Sequence, residues 1–231
     1  MVCGALRVAV ALLCVMLANH VAAQVSGDVQ IVSDYRYRGV SLSEGQPEAQ
    51  VGLNYDGVAG WYVGGLASGA NLDGTRTAQV VAYGGYAGPI SDELSWDGGA
   101  SSAAFPRASA YNYTEAYLGL ASENLSGRIY YSPSYFNQKA RTVYAEINAT
   151  YGLRENVHLL GHFGMLHPIA GNGPSAFDAA SRYDGRVGIS ARYADWVAEV
   201  AWVAVQKTSA YYPTYADRNP HAVVVSVSFS F

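Results

Sequence analysis

The chain has 231 residues, half of them hydrophobic, with 25 glycines, 19 tyrosines, only 14% charged residues and a net charge of −4. The mild acidity leaves no basic footprint for nucleic acid, so none is expected as a partner. Both cysteines, Cys3 and Cys14, sit near the N-terminus, which excludes a disulfide framework and a cysteine-based metal or redox site from the rest of the chain.

Arg7 supplies a short positive region and Val8 to Ala18 an apolar run of 11 residues. Val21-Ala22-Ala23 then offers small residues at a cleavage position. This is the layout of a secretory signal peptide over 1–23, and the run is too short to span a membrane as a helix. Residues 24–231 form the mature chain. Without Arg7 it carries 13 basic against 18 acidic residues, a net charge of −5. No later stretch reaches 18 consecutive apolar residues, so no spanning helix is expected.

From there on the hydrophobic period is 2. The first predicted strand, 28–39, sets Val29, Ile31, Tyr35 and Tyr37 on one face and Asp34, Arg36 and Arg38 on the other. Strand 47–56 places Glu48 with the polar set, and 61–69, 77–87 and 93–103 follow. Strand 112–121 adds Glu115, 125–132 adds Arg128, and 141–151 adds Glu146. In 157–166, His158 and His162 share a face. In 181–193 the alternation is clearest, with Arg182, Asp184, Arg186 and Arg192 opposite Tyr183, Val187 and Ile189. Strand 196–206 sets Glu199 against Trp196, Val200 and Trp202. The last strand, 221–231, ends on VVVSVSFSF, with Val223, Val225, Val227, Phe229 and Phe231 on one face and Ser226, Ser228 and Ser230 on the other.

Twelve strands of about ten residues match the length a tilted strand needs to cross a bilayer. The predicted connections alternate, short at 57–60, 88–92, 122–124, 152–156 and 194–195, and long at 40–46, 70–76, 104–111, 133–140, 167–180 and 207–220. An up-and-down barrel puts all long loops at one end and all tight turns at the other, as outer-membrane barrels do. The fold class is therefore all-β, a single up-and-down antiparallel transmembrane β-barrel of about twelve strands. The six arginines and six carboxylates named above must face the lumen. An arginine on the lipid face near the midplane costs about 2–4 kcal/mol. These twelve residues admit two roles: lining a wet path for solutes, or crosslinking and partly filling a narrow lumen. Their six-to-six balance expresses no ion preference.

Other chemistry has little support. His158 and His162 are four apart on a strand, roughly 13 Å, so one metal ion cannot take both alone. His167 and Asp178 share an outer loop and His221 opens the last strand, but no local signature sets a serine beside any of them. No GxSxG, HExxH or P-loop occurs. No enzymatic activity, metal or cofactor is expected. The sequons at Asn112, Asn124 and Asn148 matter only in a eukaryotic secretory route.

The stretch SDYRYRGVSLSEGQP, Ser33 to Pro47, resembles the N-terminal block of the TorF family of porin-type proteins, also described as the Gcw_chp family, and YYSPSYF, Tyr130 to Phe136, resembles a second block. Tyr37 stands where the family block usually has Phe, and Ser134 where it has an acid. The resemblance covers the mature chain. It implies a bacterial outer-membrane barrel of porin type and marks Asp34, Arg36, Arg38 and Gly39 as the residues to test. The partners then expected are outer-membrane lipids and lipopolysaccharide, small hydrophilic solutes, and the barrel assembly machinery. That machinery would read the C-terminal signal formed by Val227, Phe229 and Phe231. Alternatives are a structural or adhesion barrel with working outer loops, a barrel enzyme, and a soluble secreted sandwich.

Overall fold

The computed structural model describes residues 24–136, 140–171, 181–206 and 219–231. The expected signal peptide, Asp178 and most of the loops at 167–180 and 207–220 lie outside the described residues. Twelve strands form the wall: β1 (Gln24–Val32), β4 (Glu48–Asp56), β5 (Trp61–Leu72), β6 (Thr75–Pro89), β7 (Ser95–Ala104), β8 (Tyr113–Ala121), β9 (Leu125–Tyr135), β10 (Ala140–Arg154), β11 (Val157–Gly171), β12 (Arg182–Tyr193), β13 (Trp196–Val205) and β14 (His221–Ser230). Two further short strands, β2 (Arg36–Tyr37) and β3 (Val40–Ser41), form a separate sheet. Each wall strand pairs antiparallel with its neighbours, and β1 pairs with both β4 and β14, closing the barrel. Closure gives every wall strand two partners, as the absence of water in lipid requires.

The alternation read from the sequence becomes the two faces of this wall. Val29, Ile31, Val51, Leu53, Leu118, Ile129, Val187, Ile189, Val200 and Trp202 are all exposed. In water so much apolar surface would be an aggregation hazard; against acyl chains it is the required surface. At the short-turn end the outer aromatics touch ring to ring. Tyr86 contacts Trp61 at 5.2 Å and Trp96 at 5.8 Å, and Phe229 contacts Trp196 at 5.0 Å. Amphipathic rings at the lipid–water boundary form the girdle of such barrels. The closing seam is capped there as well. Phe231 exchanges backbone hydrogen bonds with Gly27 at 2.9 Å, and a Cβ on Gly27 would run into the Phe231 ring.

Two expectations need correction. The first strand does not run to residue 39. It leaves the wall after Val32, where Ser33 bonds to Val225 of β14 through both its N–H (2.8 Å) and its hydroxyl (2.9 Å). The chain then turns into the barrel. Tyr35 and Tyr37, expected on the lipid face, instead pack on an interior cluster. Their alternation is that of a small internal hairpin, which has the same period of 2. The second outer connection is also not long. β5 and β6 continue past the expected loop 70–76 to a two-residue turn, Asp73–Gly74, with both residues at positive φ. Asp-Gly is the sequence that such a primed turn favours.

Candidate functional site: the lumen and its inner hairpin

The inner hairpin is built by SDYRYRGVSLSEG, and most of its polar side chains have a structural partner. Arg36 pairs with Ser41 and Tyr37 with Val40, leaving Arg38–Gly39 as a two-residue turn at φ 50 and 78. Asp34 is the hub: it accepts from Arg36 Nε at 2.6 Å, Ser41 Oγ at 2.5 Å and Ser43 Oγ at 3.1 Å. Ser43 in turn accepts from the Tyr35 N–H at 2.9 Å. Arg36 also donates to the carbonyls of Gly39 (3.0 Å) and Asn219 (3.1 Å). Glu44 accepts from Asn71 Nδ2 at 2.8 Å and the Gly74 N–H at 2.9 Å, tying the hairpin to the β5–β6 turn. The Tyr35 hydroxyl donates to Gln79 of β6. Gly39 is required twice. Its φ is positive, and a Cβ there would meet the Cβ atoms of Asp184 and Val205 at 2.8 Å.

Arg38 locks the hairpin across the lumen. It donates two hydrogen bonds to Glu115 of β8, each 2.8 Å, and both side chains are buried. Its guanidinium lies 4.0 Å from the centre of the Tyr144 ring, with Tyr37, Tyr130 and Tyr135 at 4.8, 5.1 and 5.6 Å. A planar, weakly hydrated cation suits this box: carboxylate in the plane, aromatic faces around it. On the β5–β11 side the hairpin is sealed by Leu42, Leu72, Phe105, Tyr113, Phe136 and Leu166.

On the other side a cavity of about 490 Å³ remains. The hairpin contributes Asp34, Arg36, Arg38 and Gly39 to its lining. The wall contributes Gln30, Gln50, Glu146, Asn148, His162, Asp184, Arg186 and Glu199. Arg186 pairs with Glu199. Asp184 accepts from the Tyr144 hydroxyl at 3.2 Å and faces His162 Nε2 at 2.9 Å, while His162 Nδ1 lies 2.7 Å from Asn148 Oδ1. Glu146 accepts from the Tyr130 hydroxyl at 3.1 Å.

Glycines set how the inner side chains lie. Arg128 reaches Asp97 at 2.7 Å by crossing Gly119 on the strand between them, and a Cβ on Gly119 would strike both. Tyr144 reaches Asp184 over Gly164 in the same way, Glu48 reaches Arg76 over Gly69, and Tyr83 reaches Asn54 over Gly64. Tyr62 and Tyr117 meet at 2.8 Å over the neighbouring pair Gly85 and Gly99. Long side chains therefore lie along the wall instead of pointing at the axis.

The family described as "Bacterial protein of unknown function (Gcw_chp)" matches residues 18–231. The chain belongs to the Gcw_chp family. No curated protein matches it. Among solved structures, the NanC porin superposes with a TM-score of 0.59 at 13% identity, over 88% of this chain and 98% of that one. The KdgM porin in complex with disordered oligogalacturonate superposes with a TM-score of 0.56 at 15% identity, over 89% and 99%. At these identities the likeness is one of fold.

The stretch Ser33 to Pro47 thus holds the lumen hairpin, and Asp34, Arg36, Arg38 and Gly39 fall there and not on a wall strand. Of the twelve charged residues named from sequence, Asp34, Arg36, Arg38, Glu146, Asp184, Arg186 and Glu199 border one cavity. Glu115 sits behind it, on Arg38. Glu48 and Arg128 do not border it; they pair with Arg76 and Asp97. Arg182 is buried at the outer end of β12, and Arg192 is exposed at the short-turn end. Sequence reasoning missed Asp97, whose alternation with Trp96 places it inward, and the tyrosine box, which no local pattern announces. It also set no serine beside His167, yet Ser181 Oγ lies 3.0 Å from His167 Nδ1 at the outer rim.

Proposed function

We propose that the chain is an outer-membrane porin-like barrel that passes small hydrophilic solutes by diffusion, with the inner hairpin as its constriction. The observation that carries this is the polar cavity left beside the hairpin inside an apolar-walled closed barrel. The fold shared with proteins named as porins supports it. The barrel would sit among outer-membrane lipids and lipopolysaccharide after export by the 1–23 signal peptide. Val227, Phe229 and Phe231 would offer the assembly machinery its aromatic end. Purified, folded protein in a planar bilayer should give discrete conductance steps.

A second reading, a plugged structural or adhesion barrel working through its outer loops, is favoured by the apolar seal on the β5–β11 side of the hairpin. It predicts a silent bilayer and a binding phenotype that disappears when the loops at 167–180 and 207–220 are trimmed.

A further inference from the structure

We infer that the cavity beside the inner hairpin favours cations, and that Glu146 and Asp184 set this preference; the inference rests on the porin reading above. The equal numbers of arginines and carboxylates in the sequence conceal an unequal pairing. Three arginines border the cavity, and each is engaged by a carboxylate: Arg36 by Asp34 at 2.6 Å, Arg38 by Glu115 at 2.8 Å from behind, and Arg186 by Glu199. Glu146 and Asp184 remain on the lining. Tyr130 serves Glu146, and Tyr144 and His162 serve Asp184.

The strand register should have spoiled this. Arg128 stands directly opposite Glu146 in the β9–β10 ladder. Its ion pair goes instead, over Gly119, to Asp97 on β7, and it reaches Glu146 only through the Tyr130 hydroxyl, to which Nη1 donates at 3.4 Å, so the Glu146 carboxylate stays on the cavity. Arg182 lies two residues from Asp184, but it is buried toward the outer end of β12 and does not border the cavity. Rings of acidic side chains select cations in channels by this electrostatic means. The same field disfavours anionic solutes, so the solutes admitted are cationic or neutral.

The test is the zero-current potential across a planar bilayer under a KCl gradient centred near 0.1 M, where the Debye length is about 10 Å. It is run at pH 8. These two carboxylates beside a narrow wet path should favour K⁺ over Cl⁻ by at least about fivefold. Glu146→Gln and Asp184→Asn should each reduce that ratio, and the double variant should bring it near one. Glu93→Gln, an exposed carboxylate in the 90–94 turn, should leave it unchanged. The preference should fade at 1 M salt, where screening acts over about 3 Å. A wild-type channel that conducts without cation preference overturns the inference and leaves the porin reading intact. So does a preference that survives the double variant or falls equally with Glu93→Gln. Silence of both the wild type and Arg38→Ala, each confirmed folded by gel mobility, overturns the porin reading and this inference with it.

Discussion

Arg38 is where the chain commits most to one geometry. It holds a positive φ, which a non-glycine residue adopts only when its surroundings compensate, and the two bonds to Glu115 supply that compensation. Removing one partner strands a buried charge, a loss of about 3–5 kcal/mol for a pair of this kind. Arg38→Ala and Glu115→Ala should each lower the urea midpoint of the purified barrel, followed by heat-modifiable gel mobility. An apolar double replacement, Arg38→Met with Glu115→Met, should be better tolerated than either single change. Arg38→Lys should resemble Arg38→Ala more than the wild type, because an ammonium cannot make the two paired bonds to Glu115. A lysine variant of full stability would show that charge alone holds the hairpin. Alternation placed Arg38 inside the barrel from sequence. It could not name Glu115, which lies 77 residues away along the chain.

At the level of elements, strands and glycines together shape the lumen. A glycine on the intervening strand lets side chains two strands apart bond to each other, as Asp97 and Arg128 do over Gly119. Gly119→Val should part that pair and turn Arg128 back toward Glu146, its ladder partner. The measurable result is a weaker cation preference in bilayer recordings, with the barrel still folded on gels. The outer face has its own case at Gly27. Gly27→Val should push the Phe231 ring off the seam, and removing Phe231 should act at the same place. Both changes should lower the amount of protein assembled in the membrane more than the conductance of the molecules that do assemble. Normal membrane levels in both variants would contradict this. The glycine and tyrosine abundance was plain in the composition. Which glycine lies beneath which tyrosine depends on register across three or four strands, and no single segment encodes it.

At the scale of the molecule, a closed wall surrounds a hairpin that occupies one side of its interior. Replacing residues 34–46 with a short Gly-Ser linker should leave the barrel closed, since β1 and β4 pair directly over nine residues. The variant should show larger conductance steps than the wild type; equal steps would mean that the constriction lies elsewhere. The twelve strands, the closed class of the fold and the inward sense of most charges were legible in the sequence. Lipid is the reason: it penalises each polar side chain on the outer face individually, so the rule is written into every second residue of every strand. Three matters were settled only by the tertiary structure: that Ser33 to Pro47 turns inward, that Tyr35 and Tyr37 face a core and not a bilayer, and that Arg36, Arg38 and Arg186 pair with carboxylates other than Glu146 and Asp184. A hairpin in the lumen and a strand in the wall share one period of 2, and ion pairs are chosen among side chains brought together only by closure. Local pattern therefore fixes which face a residue takes on its strand, while closure decides what that face meets.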